Sequence, residues 1–326
     1  MKKCSDKFYD AHFDCHMHLG IGLSFIFNDK FPFCQNLQGI IEKLSDSFVN
    51  TAIVFPFPDD FLGNEVVSDP VSNKVIRGVF ESVPYQIANK RLLDEVELTG
   101  QENILPFLMF SLRYGVKEQL TFLEQCVKDH FVYGMKYYAD ADGIPLKNFP
   151  CKAEPFIEFM LKHDLPIVFH VSGNTVVNDG GVSFPNDIID LALAYPELRI
   201  SIAHCAHFSK SFFSALSNAC ARNIYIDVSP FLHLCNVRLV SHSEKCLDLH
   251  YDEPISALKD IITRCPERMM WGSDYPFNYT CNLNSKNQDK TYTPYSYRAH
   301  IELLSLLDDK QRELITRINP LEFIFG

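Results

Sequence analysis

Asp14-Cys15-His16-Met17-His18 closes the first strand-like stretch of the chain. Strand side chains repeat every second residue, so His16 and His18 fall on one face. Two imidazoles on one face are half a metal site. The rest of the sequence supplies matching positions. His170 follows the apolar run Leu165-Pro166-Ile167-Val168-Phe169, His204 follows Arg199-Ile200-Ser201-Ile202-Ala203, and Asp274 follows Arg268-Met269-Met270-Trp271-Gly272-Ser273. Each of these polar residues stands where a buried strand should end.

Eight strand-like runs can be read along the chain, at 11–16, 51–57, 104–112, 132–138, 165–171, 198–205, 223–229 and 268–274. Most are continuously apolar rather than alternating, as expected when helices cover one face and a barrel interior the other. Between them the helical period appears at 37–48, 84–98, 115–130, 152–163, 186–195, 209–222, 254–264 and 296–307. Eight βα units predict a parallel sheet with right-handed crossovers that closes into a (β/α)8 TIM barrel; a doubly wound open sheet is the alternative. No glycine-rich nucleotide loop follows any strand, which favours the barrel. The whole of 1–326 reads as one domain. A minimal barrel needs about 250 residues, so the excess should form long βα loops at 19–36, 58–83, 230–253 and 275–295. All four would rim the face where barrel enzymes keep their sites. Short helical pieces at 308–317 and 320–325 should pack back on the barrel.

Composition narrows the partners. With 47% apolar and 22% charged residues the chain is that of an ordinary globular protein. A formal charge of −11 argues against nucleic acid and anionic membrane surfaces. No apolar run approaches the roughly 20 residues of a membrane span, and no signal-peptide pattern opens the sequence. The eleven cysteines are odd in number and scattered without a C-x-x-C pair, so reduced thiols in a cytoplasm are the expected state. Strict alternation turns Cys15 away from His16, and gives His12 and Asp14 the inward parity of His16 lower in the barrel.

In such a barrel His16, His18, His170, His204 and Asp274 converge on one mouth. Imidazoles with one carboxylate and no required thiolate suit zinc or a similar divalent ion with an open position. Such an ion lowers the pKa of bound water from 15.7 to about 7. A nearby carboxylate or histidine must then handle protons.

The same residues resemble the amidohydrolase superfamily, in its amidohydrolase-related branch (amidohydrolase family 2). The resemblance rests on His16-x-His18 after Asp14, Gly134-Met135-Lys136, His170-x-x-Gly173, Ala203-His204, Tyr225-x-Asp227-x-Ser229 and Trp271-Gly272-Ser273-Asp274-Tyr275-Pro276. It implies a metal-dependent hydrolase acting on an ester, lactone or amide of a small organic substrate. Relatives include nonoxidative decarboxylases similar to aminocarboxymuconate-semialdehyde decarboxylase, so decarboxylation of a small unsaturated or aromatic acid is the second expectation, and a non-catalytic metal-binding barrel the third. The resemblance further implies one Zn2+, with Mn2+ as the other candidate, held by His16, His18, His170 and Asp274. Asp274 and His204 would move protons. The alternative is two ions bridged by a carbamylated Lys136, with His170 and His204 on the second. Weaker substrate contacts are expected from Arg113, as a bidentate donor to a carboxylate, and from His207, His233 and Tyr275. The family often has glycine two residues past the strand-6 histidine, where this chain has Ala206 within Cys205-Ala206-His207. A homodimer is compatible with the resemblance, although no stretch of sequence marks an interface.

Overall fold

The computed structural model describes residues 5–22, 30–31, 34–57, 66–68, 75–77, 83–172, 181–241, 243–279, 281–282 and 295–326. Eight parallel strands alternate with helices: β1 (Phe13–Ile21), β2 (Thr51–Pro56), β3 (Ile104–Phe110), β4 (Gly134–Tyr137), β5 (Ile167–Phe169), β6 (Ile200–Ile202), β7 (Ile224–Asp227) and β8 (Met269–Met270). Each pairs in parallel with its neighbour in sequence. The ring closes where β1 meets the end of β8. The Cys15 N–H donates to the Trp271 carbonyl (2.9 Å), Asp274 N–H to His16 (2.8 Å) and His18 N–H to Tyr275 (2.7 Å). Closure removes the free sheet edges and excludes the open doubly wound alternative.

The barrel wall is covered by α1 (Leu37–Ser45), α2 (Gln86–Thr99), α3 (Val116–Asp129), α4 (Glu154–Lys162), α5 (Asp187–Ala194), α6 (Lys210–Asn218), α7 (Phe231–Val240), α8 (Pro254–Arg264) and α9 (Tyr297–Ser305), with α10 (Asn319–Phe325) ending the chain. The starts of α1, α6 and α9 are set by caps, in which Asn36, Ser209 and Ser296 accept from the N–H groups of Gly39, Phe212 and Ala299. α8 shows the covering geometry: Ala257, Leu258, Ile261 and Ile262 form one buried stripe against the wall. None of the helices in the described residues is long and apolar enough to cross a membrane.

α7 is a correction to the sequence reading, which left 230–253 as loop. Its sequence is apolar nearly all round, so no amphipathic stripe marks it as a helix. Short antiparallel pairs decorate the other long loops, with Cys34–Gln35 against β1, Lys30–Phe31 against Cys281–Asn282, and Val66–Ser68 against Val75–Arg77. The rest of those expected loops, 23–29, 32–33, 58–65, 69–74, 78–82, 280 and 283–294, lies outside the described residues.

The barrel interior is packed by inward residues of the strands, including Phe13 and Cys15 of β1, Ile53 and Phe55 of β2, Leu105 and Phe107 of β3, Val168 of β5 and Met270 of β8. Phe323 of α10 floors it, with ring centroids 6.2 Å from Phe107 and 5.4 Å from Tyr225. The expected packing of the C-terminal piece on the barrel is thereby met. Phe107 needs Gly134 opposite, because a Cβ there would lie 2.2 Å from its ring.

One irregularity in β1 sets up the site. Asp14 pairs with Ala52 but Met17 pairs with Val54, so β1 carries one extra residue against β2. A bulge of this kind places two successive side chains on the same side. Cys15 and His16 therefore both face the interior, and Asp14 shares the outer side with Met17. This corrects the strict alternation, which put Asp14 inside and Cys15 out. Asp14 instead stitches the bulge to the end of β8: its Oδ1 accepts from the N–H groups of His16 and Ser273, each at 3.0 Å. His12 also lies outside, bonded through Nδ1 to Thr316 Oγ1 (2.8 Å) with its ring edge-on to Phe48.

Candidate metal centre

His16, His18 and Asp274 are buried together at the carboxyl end of the barrel, one potential ligand atom from each lying within 4.8 Å of the others. Asp274 Oδ1 is 3.5 Å from His16 Nε2 and 3.4 Å from His18 Nε2. No other trio of His, Cys, Asp or Glu among the described residues gathers this closely. The bulge brings both imidazoles inward, and Gly272 lets β8 come close enough to supply the carboxylate. A Cβ on Gly272 would lie 2.7 Å from the His16 Cβ and 3.0 Å from Asp227 Oδ1.

Hydrogen bonds behind the rings fix which nitrogen faces the centre. His16 Nδ1 donates to Asp227 Oδ2, and His18 Nδ1 donates to the Pro56 carbonyl (3.0 Å). Each proton is thereby held at Nδ1, leaving Nε2 unprotonated beside Asp274. Asp227 is itself held by the Ser229 N–H (2.8 Å) and hydroxyl (2.9 Å). Its role escaped the sequence reading, although Tyr225-x-Asp227-x-Ser229 at a strand end carried the signal. His204 Nδ1 donates to the Ser229 carbonyl (2.8 Å), so its Nε2 accepts from His170 Nδ1 at 3.0 Å. That arrangement leaves His170 Nε2 unprotonated as well. His170 stands outside the close trio and joins it through His204, whose ring centroid is 5.2 Å from that of His16.

The electrostatics favour neutral His16, His170 and His204 around one carboxylate. Burial pushes His16 and His170 well below the ordinary histidine range, helped by the Lys136 charge on His16 and by His204 on His170. His204 is lowered by burial against the pull of Asp274. Burial opposes ionisation of Asp274, yet the rings of His16, His18 and His204 hold it well below the usual carboxylate range. Burial raises Asp227 to about 6, with His204, Ser229 and Lys136 acting against it. Lys136 on β4 is buried with Nζ 3.1 Å from His16 Nε2 and 4.4 Å from the Phe55 ring centroid. Burial lowers it to about 8, opposed by Asp227 and Asp274. Its ammonium rests on the very lone pair a divalent ion would take.

The remaining expected contacts separate into near and far. His207 is close, 6.0 Å from His204 between ring centroids, with Nε2 donating to the Val171 carbonyl (3.0 Å). His233 is half-buried on α7. Arg113 is exposed beyond β3, its charge acting on Asp142. Tyr275 is buried in the outer layer between barrel and helices, 6.1 Å from the Tyr297 ring, with the Lys43 ammonium 5.9 Å from its own. Beside the trio stands an aromatic wall the sequence did not single out. Phe277 lies edge-on to His18 at 4.7 Å and tilted against Phe57 at 5.1 Å.

His204 and His207 are brought together by a backbone that L-residues avoid. From His204 to Phe208 the φ angles are 60°, 51°, 44°, 49° and 60°, a left-handed turn with no glycine in it. The left-handed conformation costs roughly 1–2 kcal/mol per residue with a Cβ, more than the 0.4–1 kcal/mol that glycine loses through unfolded-chain entropy. Ala206→Gly should therefore stabilise the protein by about 1 kcal/mol, read as a higher urea midpoint. An unchanged or lower midpoint would contradict the strained turn.

Comparison with known proteins agrees with this architecture. A family profile described as Amidohydrolase matches residues 96–325, more than half of the chain. No curated protein matches the sequence. Among solved structures, 4-oxalomesaconate hydratase from Rhodopseudomonas palustris is similar with a TM-score of 0.58 at 18% identity, covering 96% of this chain and 95% of that one. The dihydroorotase of Campylobacter jejuni gives 0.54 at 16%, covering 96% and 82%, and the IDCase of Metarhizium anisopliae 0.54 at 13%, covering 96% and 97%. At these identities the structures speak for the shared barrel fold.

Proposed function

The chain belongs to the amidohydrolase family, and from that premise we propose that it is a metal-dependent hydrolase that adds water to the carbonyl of an ester, lactone or amide in a small organic substrate. The observation that carries this reading is the set of buried donors whose protons are tied back. His16 and His18 present unprotonated Nε2 atoms to an ionised Asp274, with both Nδ1 protons taken by Asp227 and Pro56 and the Lys136 ammonium on the His16 lone pair where an ion would displace it. A nitrogen and carboxylate set without thiolate fits Zn2+, or Mn2+. His16, His18 and Asp274 would hold the ion, with His170 Nε2 as a fourth donor. When bound, the ion supplies Lewis acidity and a water of lowered pKa.

The chain's own groups do the rest. Asp274, ionised in a low-dielectric pocket, accepts a proton from the attacking water and returns it to the leaving group. His204, neutral with its Nδ1 proton on Ser229, keeps Nε2 as the acceptor that orients His170. Phe57 and Phe277 exclude bulk water beside His18.

The test is turnover of an ester and lactone panel in 18O-labelled water by protein whose metal content has been measured. About one zinc or manganese per chain, with one 18O in the product acid, is the expected result. Carbon dioxide release from an unsaturated or aromatic acid without water uptake would overturn it in favour of a decarboxylase. Metal binding without any turnover would favour a non-catalytic barrel.

A further inference from the structure

The parallel ladder between β5 and β6 ends early. The Ile167 N–H donates to the Arg199 carbonyl and the Ala203 N–H to the Phe169 carbonyl, both at 2.9 Å. Bonds in a parallel pair recur at every second residue, so the next acceptor on β5 is the Val171 carbonyl and the next donor on β6 the Cys205 N–H. The chain has already turned left-handed at His204, which carries the Cys205 N–H out of the ladder. The Val171 carbonyl accepts instead from His207 Nε2 at 3.0 Å. A side chain thus makes the bond that the backbone no longer can.

That carbonyl lies one residue past His170. The His170 N–H donates to the Tyr137 carbonyl (3.0 Å). The peptide after Val171 is held at both ends, by His207 on its carbonyl and by Ser183 Oγ, which accepts from the Ser172 N–H at 3.1 Å. The backbone is therefore fixed on either side of His170. Its ring is fixed separately, with Nδ1 donating to His204 Nε2 (3.0 Å) and the Tyr138 ring edge-on at 4.1 Å. His204 and His207 stand on one left-handed turn, and between them they hold the ring and the backbone of His170.

Val171 is fully buried, so water cannot take over from His207. Burial also holds the His207 ring well below the ordinary histidine range, so it keeps a single proton. With Nδ1 unpartnered among the described residues, the bond to Val171 is the one hydrogen bond the ring makes.

We propose that His207 is a positioning residue of the metal centre, supplying the ladder bond that the left-handed turn withholds and so holding His170 where its Nε2 can serve as the fourth donor. The link to the metal rests on the metal-dependent reading, whereas the hold on His170 stands without it. A substrate contact, the role expected of His207 from sequence, would leave metal affinity indifferent to this ring. Glutamine offers an amide N–H in place of Nε2–H, and leucine fills the space with no donor.

Zinc affinity by chelator competition and the visible spectrum of cobalt-loaded protein, measured on wild type, H207L and H207Q, test the role. H207L should bind zinc roughly tenfold or more weakly, the loss typical when a group supporting a ligand is removed, and its cobalt spectrum should change. H207Q should restore both. Wild-type affinity and spectrum in H207L, whatever its thermal midpoint, would overturn the proposal, and so would equal losses in H207L and H207Q. In metal-free protein with 15N-labelled histidines, the His170 Nδ1 proton, identified by its loss in His204→Phe, should exchange with water faster in H207L than in wild type or H207Q. If wild type takes up no metal, the metal-dependent reading falls and this exchange rate decides alone. An unchanged rate in H207L then overturns the proposal, and a rate raised in H207L only keeps His207 as the residue that holds His170. H207M takes the place of H207L if the latter does not fold.

Discussion

Asp274→Asn will leave the barrel folded while metal content collapses and kcat/KM falls by at least about 10³-fold, within the 10²–10⁴ that a positioned proton-transfer group alone supplies. Asparagine keeps the shape of the side chain, and the backbone bond from residue 274 N–H to the His16 carbonyl does not depend on the carboxylate. What is lost is the one ionised oxygen lying 3.5 and 3.4 Å from the two Nε2 atoms. Without it His16 and His18 face a neutral amide and the Lys136 ammonium 3.1 Å from His16 Nε2. Two neutral imidazoles beside an uncompensated cation are a poor site for a second positive ion. The proton acceptor disappears in the same substitution, so activity should not return when excess zinc restores occupancy. Plasma mass spectrometry of the purified variant, followed by kinetics at saturating metal, separates the two losses. Full metal content in Asp274→Asn would remove Asp274 from the ligand set, and full activity at saturating metal would remove it from proton transfer.

The reach of the sequence follows from what each feature costs in residues. Parallel strands buried on both faces appear as unbroken apolar runs, so all eight could be located, and each candidate ligand stood at or just past the end of such a run, although β1 itself continues beyond His18 to Ile21. His16, His18 and Asp274 were legible for that reason. The bulge in β1 was not, because one extra residue leaves no mark in composition, yet it decides that Cys15 faces in and Asp14 out. The helix α7 was hidden by being apolar on nearly every side. Arg113 and Arg238 show the same limit for charges. A sequence places an arginine in a loop or segment, but only packing reveals that the first is exposed and the second buried. The glycine absent at position 206 was visible, and the backbone gives its meaning as a left-handed turn held against the preference of alanine.

Acid should destabilise this protein steeply between pH 6.5 and 4, and His300 is the residue that sets the window. It lies on α9, fully buried, with neither ring nitrogen hydrogen-bonded among the described residues. Burial lowers it from 6.5 to about 4, with Asp274 raising it and His233 lowering it further. The unfolded chain therefore takes up a proton below pH 6.5 that the folded chain refuses until about pH 4. Stability from this residue is complete above 6.5 and is lost as pH falls through that interval, amounting to about 3 kcal/mol by its lower end. His207, depressed by burial, acts in the same direction. Urea midpoints measured at half-unit steps should fall across the interval in the wild type. His300→Leu should flatten the slope by close to one proton, because leucine fills the same apolar space with nothing to protonate. A slope unchanged by that substitution would mean that His300 titrates alike in folded and unfolded chains, and the acid sensitivity would then belong to the site histidines, whose protonation metal should suppress.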